Sequence, residues 1–362
     1  MLRWLARRSG RAPAPAAEPD AARRLPEGAA PAEPLPEGAD PAFAPFARVL
    51  GVQPGTPSPL APEDEEEDLR VAGLVLEHFQ HNRPGPASAP SLSLQILNLV
   101  ASPRTGAADL ARLVQNDPAL AASMLHVANS AYYRGVDEAE SVRDAVARIG
   151  VEEAGRVAGA LAAKSLFSPR MKQEYAAFAD RWDDLFRRSV TVATVSASLA
   201  MRRPGARSDR AYLGGMLLDV GKSVALRSLA SLLVDRRLEL AAGDPRLDRV
   251  LERVHVEIGG EVHQAWNLPQ YLTVLCVRHH DDEVPGDAEF RELHVVRLVS
   301  AVEDLRRDVA ASPHAPVELV QSAGVRRLDP VAVRALSAEL RTTAERVGRT
   351  FSAGGKAPPA AR

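Results

Sequence analysis

The sequence predicts an all-α fold. Three observations lead there. Beyond about residue 68, apolar residues recur at i, i+3 and i+4, the spacing that gathers them on one face of a helix. Alanine and leucine dominate while aromatic residues make up only 4% of the 362 residues, a balance that favours helix over sheet. Period-two apolar runs bounded by turn residues, the mark of half-buried strands, are missing. An apolar content of 46% is that of a globular protein, and the length allows one large domain or two smaller ones.

Residues 1–67 read as a tail before the helices begin. From Ser9 to Pro62 the chain is rich in Pro, Ala, Gly and Glu, and Leu25-Pro26-Glu27-Gly28-Ala29 recurs as Leu35-Pro36-Glu37-Gly38-Ala39. Repeated Pro and Gly deny it a continuous helix, and it has few apolar groups to offset ordering, so it is expected to be disordered. Phe43, Phe46, Val49 and Leu50 form a small apolar island there, read as incidental to a linker rather than as a docking segment. The acidic run Glu63–Asp68 is read as the opening of a helix, where carboxylates meet the positive helix end.

The first helix is placed from Leu69 to about Gln80, with Val71, Leu74, Val75, His78 and Phe79 at helical spacing. Pro and Gly break it between Asn82 and Pro90. Ser91–Ala101 is the second helix, and Ala107–Val114 a short third. Asp117-Pro118 starts the next, with Asp117 as N-cap and Pro118 in the first turn. Ser141 caps a helix that Gly150 closes, and Val151–Leu166 follows it. Phe178–Met201 reads as a long helix ended by Pro204-Gly205. Asp209 is expected to cap the helix leading to Leu218. Helices are then placed at Lys222–Arg236, His255–Trp266, Pro269–His280 and Ala288–Val309. Asp329-Pro330 caps a last helix to about Phe351.

Two groups of short motifs carry a resemblance. The first is Asp117-Pro118-Ala119-Leu120, then Ala128-Asn129-Ser130-Ala131-Tyr132-Tyr133, then the Ser141–Gly150 helix. The second is Leu217-Leu218-Asp219-Val220-Gly221-Lys222, His255-Val256-Glu257-Ile258-Gly259, Trp266-Asn267-Leu268-Pro269 and Arg278-His279-His280. In this order, over roughly residues 85 to 307, they resemble HDOD (HD-related output) domains, a degenerate branch of the HD and HD-GYP phosphohydrolases. The resemblance implies a two-part helical domain over 68–310. Its N-terminal half would span 69–166 and its HD-like half 178–309, with a C-terminal helix and flexible end over 311–362. It also implies a non-catalytic, bacterial signal-transduction scaffold in the cytoplasm. Such a scaffold would bind a protein partner or a small messenger, in a cyclic-dinucleotide or response-regulator system.

An active HD site takes an early His, a His-Asp doublet and a late Asp. Here the resemblance puts Arg188 at the early His and Leu218 in the doublet. Arginine has no lone pair to donate and leucine offers no ligand atom. Asp219 remains, expected either to cap the next helix or to pair with Arg188. The late acid is expected between Ser300 and Asp304 and is placed at Glu303. His279 and His280 are adjacent, and adjacent helical positions point about 100° apart, so at most one of them is expected to face the pocket. His255 and Glu257 are read as residues of a helix start that cap and pack. The vestigial pocket is therefore Arg188, Asp219, His255, His279, His280 and Glu303, with no catalytic residue, cofactor or metal expected. The rival reading is a divergent metal-dependent phosphohydrolase built from His255, His263, His279, His280 and Asp219.

Composition excludes other classes. A formal net charge of -2 gives no reason to expect nucleic acid or an anionic membrane. No apolar run reaches the ~18 residues of a membrane span. The basic start, Met1–Arg8, lacks the apolar core of a secretory signal. Cys276 is the only cysteine, so no disulfide forms within the chain, as suits a reducing compartment. Phosphate-binding Gly-rich loops, nucleophile elbows and paired-cysteine metal motifs do not occur.

Overall fold

A computed structural model describes residues 61–83, 91–100, 106–130, 132–133, 135, 137–167, 172–241, 243–281, 291–311 and 330–352. The expectations for the tail before Ala61, the loop over 84–90, the Asp329 cap and the chain end lie outside those residues. Every regular element described is a helix, and no strand occurs among the described residues.

Helix α1 (Pro62–His81) opens with Pro at its start and Glu63, Asp64 and Glu65 in its first turn, so the acidic run opens the helix ahead of the apolar spacing that begins at Leu69. The acidic first turn complements the positive end of the helix. Helices α2 (Ser91–Val100), α3 (Ala107–Gln115), α4 (Pro118–Ala128), α5 (Val142–Ile149) and α6 (Val151–Lys164) follow. The Asp117 side chain accepts hydrogen bonds from the backbone of Ala119 and Leu120 at 2.8 and 3.1 Å, which starts α4. Ser141 and Asp144 form a reciprocal capping box at the start of α5. Gly150 closes that helix with φ of 87°, a conformation that favours glycine. Ile96, Leu110, Val114, Met124, Val146 and Ala158 are the centre of the apolar cluster these five helices share.

A 3-10 turn (Ser165–Phe167) precedes α7 (Lys172–Met201), in which Phe178 breaks the helical backbone with φ of -142°. Next come α8 (Ser208–Leu217), α9 (Val220–Val234), α10 (Arg246–Ala265), α11 (Gln270–Arg278), α12 (Arg291–Ala311) and α13 (Pro330–Ser352). Two expected boundaries move. Asp209 does not cap α8: the N-cap residue is Arg207, whose guanidinium Asp209 holds. His255 does not sit at a helix start, because α10 begins at Arg246 and carries His255 in its middle. Leu247, Val250, Leu251 and Val254 continue the buried stripe of α10 toward its N-terminus.

The largest apolar cluster joins α7, α8, α9 and α10, and α1 belongs to it through Val71, Val75, Leu76 and Phe79. Asp68 of α1, fully buried, receives two hydrogen bonds from Arg249 of α10 at 2.6 and 3.0 Å. The first helix in sequence therefore packs with the later helices rather than on the α2–α6 cluster. Helix α13 returns to α7 and α12 through Val333, Leu336 and Leu340.

Candidate functional site

The site forms where α7, α9, α10, α11 and α12 meet. Its shape begins with Gly221. A Cβ there would lie 2.0 Å from the carbonyl oxygen of His255 and 2.7 Å from the amide nitrogen of Gly259. Only a residue without a side chain lets the start of α9 rest on the backbone of α10. That contact carries Asp219, at the N-cap position of α9, to the side of His255. Asp219 makes no capping hydrogen bond with its side chain. One carboxylate oxygen takes Nη1 of Arg188, and the other lies 3.4 Å from Nζ of Lys222 and 3.6 Å from Nε2 of His255.

Arg188 lies on α7 and is buried. Nε donates to Asp304 at 2.9 Å, and Nη2 donates to Ser300 at 2.8 Å and to Asp304 at 2.6 and 2.8 Å. Ser300 and Asp304 are four apart on α12 and so share a face. Glu303 is buried but turns to Arg306, with both hydrogen bonds at 2.7 Å. The late acid of the pocket is thus Asp304, one position beyond the expected Glu303, because the helical face that meets α7 runs through Ser300. Leu218 does not face this pocket: it is buried in an apolar cluster with Ala200, Leu275, Leu293 and Val296.

Burial opposes the charge on Asp219, but Arg188 and then Lys222 hold its carboxyl well below the usual range. Burial likewise opposes charge on Arg188 and Lys222, and it is outweighed by Asp219 together with Asp304 at Arg188 and by Asp219 together with Glu252 at Lys222. Lys222 also pairs with Glu252 of α10. Burial raises the Glu252 carboxyl and Lys222 brings it down to about 2, an effect that solvent weakens because that side chain is 53% exposed.

Three histidines close the other side. His255 Nε2 lies 3.2 Å from His279 Nε2 and 3.1 Å from His280 Nε2. His255 Nδ1 lies 2.9 Å from the Glu252 carbonyl oxygen, and His279 Nδ1 lies 2.6 Å from that of Cys276. Both adjacent histidines therefore face the pocket, against the expectation of at most one. The reason is that α11 ends at Arg278, which leaves His279 at its C-cap and His280 beyond helical geometry. Burial holds His255 down at about 4, helped by Lys222, and holds His279 well below its usual value, helped by His280. His263 stands apart: Nε2 meets the Leu217 carbonyl oxygen at 3.3 Å, and burial lowers its pKa to about 4.

Five of the six expected pocket residues thus come together, and Glu303 does not. Sequence reading missed Lys222 and Glu252, and within the window from Ser300 to Asp304 it chose Glu303 over Asp304. Lys222 ends the doublet motif and Glu252 lies one helical turn before His255, so both had a signal in the sequence.

Away from this site, a cavity of about 630 Å³ opens between α2, α4, α6 and the end of α13. Ile96, Leu120 and Val127 give it an apolar floor, and Ser123, His126 and Lys164 add polar groups.

Solved structures of similar fold include an HDOD domain protein of unknown function from Geobacter sulfurreducens. It matches with a TM-score of 0.53 and 20% identity, over 78% of this chain and 98% of its own. A candidate metal-dependent phosphohydrolase from Shewanella amazonensis matches with a TM-score of 0.49 and 19% identity, over 76% of this chain and 99% of its own. A candidate signal transduction protein from Marinobacter aquaeolei matches with a TM-score of 0.49 and 24% identity, over 74% and 58%. No curated protein matches the sequence. No described helix is long and apolar enough to cross a membrane. The sequence profile of the HDOD domain matches residues 87–282, more than half of the chain, and the protein belongs to the HDOD family.

Proposed function

We propose that this protein is a non-catalytic regulatory scaffold of bacterial signal transduction, acting in the cytoplasm, that binds a protein partner or a small messenger. The observation that carries the reading is the position of Arg188. Its guanidinium takes one oxygen of Asp219 and both oxygens of Asp304, the carboxylates an HD-type ion would need. An ion placed between those carboxylates, about 4 Å from the guanidinium, would meet a repulsion of about 8 kcal/mol at an effective dielectric of about 20. Leu218 sits in apolar core and supplies no ligand there. The phosphohydrolase reading requires His263 to join the other histidines, and its Nε2 is turned to Leu217 instead. The groove between α2, α4 and α6 supports binding, since an open surface with an apolar floor suits a partner without needing any chemistry.

The test has two arms. The purified chain is assayed on phosphomonoesters, bis(p-nitrophenyl) phosphate and cyclic dinucleotides with Mn²⁺, Fe²⁺ and Zn²⁺, and no turnover above the protein-free rate is expected. Turnover lost in Asp219→Asn would replace the scaffold reading with the enzyme. In parallel, proteins captured by the wild type from the native host are compared with those captured by Ala122→Arg, which places a charged side chain in the groove. Loss of a specific partner in the variant supports the reading, and identical, non-specific capture by both argues against the groove.

A further inference from the structure

The Arg188 pairing accounts for only one side of the pocket. On the other, His255, His279 and His280 bring three Nε2 atoms together, with their ligand atoms all within 4.8 Å of one another. A carbonyl oxygen only accepts, so the Nδ1 atoms of His255 and His279, each against a backbone carbonyl, carry their hydrogens. In the neutral ring this leaves the Nε2 lone pair free. His255 and His279 therefore point lone pairs at each other across 3.2 Å. His280 lies 3.1 Å from the same His255 nitrogen and so offers that nitrogen at most one proton. That proton satisfies one lone pair and leaves the other facing it. A buried arrangement of this kind costs free energy unless a positive centre lies between the nitrogens.

The spacing fits such a centre. With bonds of about 2.0–2.1 Å, ligand nitrogens of a tetrahedral zinc-class ion lie about 3.3 Å apart. The two edges from His255, 3.2 and 3.1 Å, are close to that value. The backbone carbonyls on Nδ1 are the outer partners that fix the tautomer of metal-binding histidines. Charge also permits it. Arg188 and Lys222 face three carboxylates, Asp219, Asp304 and Glu252, so with neutral histidines the surroundings carry an excess of one negative charge. Asp219 turns one oxygen to Arg188 and the other toward His255, which sets the carboxylate between the guanidinium and the imidazoles. His280, with 38% of its side chain exposed, gives the site an entrance.

We propose that His255, His279 and His280 hold one first-row transition ion of the zinc class through their three Nε2 atoms. This goes beyond the scaffold reading and stands or falls apart from it. The ion would pin the end of α11 to the middle of α10.

The full-length chain, stripped with chelator, is titrated with Zn²⁺ by calorimetry and with Co²⁺ by visible absorption. One ion per chain is expected, with Co²⁺ bands of tetrahedral intensity. Loss of an outer partner of a metal ligand weakens binding 10–100-fold, so loss of a ligand itself should weaken it by at least about 100-fold in His279→Gln and His280→Ala. His263→Gln, outside the cluster, should bind as the wild type does. Circular dichroism of each metal-free variant checks folding. If His279→Gln does not fold, His280→Ala decides, because its side chain is partly exposed. Saturation below one ion per chain, or affinity unchanged in His280→Ala, overturns the proposal. Binding without hydrolysis keeps both readings, whereas hydrolysis with the bound ion keeps the site and removes the scaffold reading. Absence of both binding and hydrolysis removes the site alone.

Discussion

Arg188 is 7% exposed and meets two carboxylates and a hydroxyl. Buried ion pairs of this kind gain little over apolar packing, yet breaking one by removing a single partner costs about 3–5 kcal/mol because the other charge is stranded. Here Lys222 stays 3.4 Å from Asp219, and Asp304 is 31% exposed, so part of that penalty is relieved. Arg188→Met is therefore expected to lower the unfolding free energy by about 2–3 kcal/mol in urea titration. Adding Asp219→Asn should recover at least about 1 kcal/mol of it, since the stranded charge is gone. A single variant as stable as the wild type, or a double variant no better than the single, would show that Arg188 does not stabilise the buried Asp219 carboxylate. The residue scale is also where sequence reading reached furthest and then stopped. A missing ligand is visible in a motif, so Arg188 and Leu218 stood out. A partner contributed by a distant helix is not: the choice of Asp304 over Glu303 depends on the rotation of α12 about its axis, which its spacing alone leaves open by one residue.

At the scale of elements, the site depends on how closely α9 approaches α10, and glycine sets that distance. Gly221→Ala would push a methyl group to 2.0 Å from the His255 carbonyl oxygen, and backbone cannot step aside as a side chain does. Overpacking a core costs about 1–3 kcal/mol where side chains can adjust, so this substitution should cost at least about 3 kcal/mol. Gly73 provides the contrast. It lies on the exposed face of α1 with nothing within 4 Å of the place a methyl group would take, and Gly73→Ala should stabilise the fold by about 0.5–1 kcal/mol through helix propensity. Thermal melts of the two variants test the pair, and equal shifts would contradict the close crossing. The α-helices described were legible from apolar spacing, caps and motifs, the 3-10 turn Ser165–Phe167 was read as part of a helix, and caps at Asp117 and Ser141 were legible from side-chain chemistry. Helix starts were legible only where a cap, an acidic run or an apolar stripe marks them. The acidic run marked the opening of α1, whereas α10 begins at Arg246, earlier than expected, because its stripe through Leu247, Val250, Leu251 and Val254 went unread, and the histidine pair escaped the helical rule because α11 ends just before it.

For the molecule as a whole, the helix that precedes the family-matched span matters most. The match begins at residue 87, beyond the end of α1 at His81. Yet α1 buries Val71, Val75, Leu76 and Phe79 in the cluster shared by α7, α9 and α10. Burying a side chain of this size contributes roughly 1.5–3 kcal/mol. Four of them amount to about 6–12 kcal/mol, comparable to the whole net stability of a typical domain, about 5–15 kcal/mol. Removing α1 would also strand Arg249 and Arg246 of α10, whose partner is the buried Asp68. Because α10 carries His255, damage there reaches the site directly. A chain cut to begin at Ala61 should therefore keep the unfolding midpoint of the full-length protein. One cut to begin at Ser91, which retains nearly all of the matched span, should unfold at least about 10 °C lower or fail to accumulate in soluble form, since each kcal/mol moves the midpoint of a domain of 150–250 residues by about 2–4 °C. Differential scanning calorimetry of the two truncated chains separates these outcomes. A chain beginning at Ser91 that melts with the full-length midpoint would show that α1 only covers the core formed by α7, α9 and α10 and does not complete it.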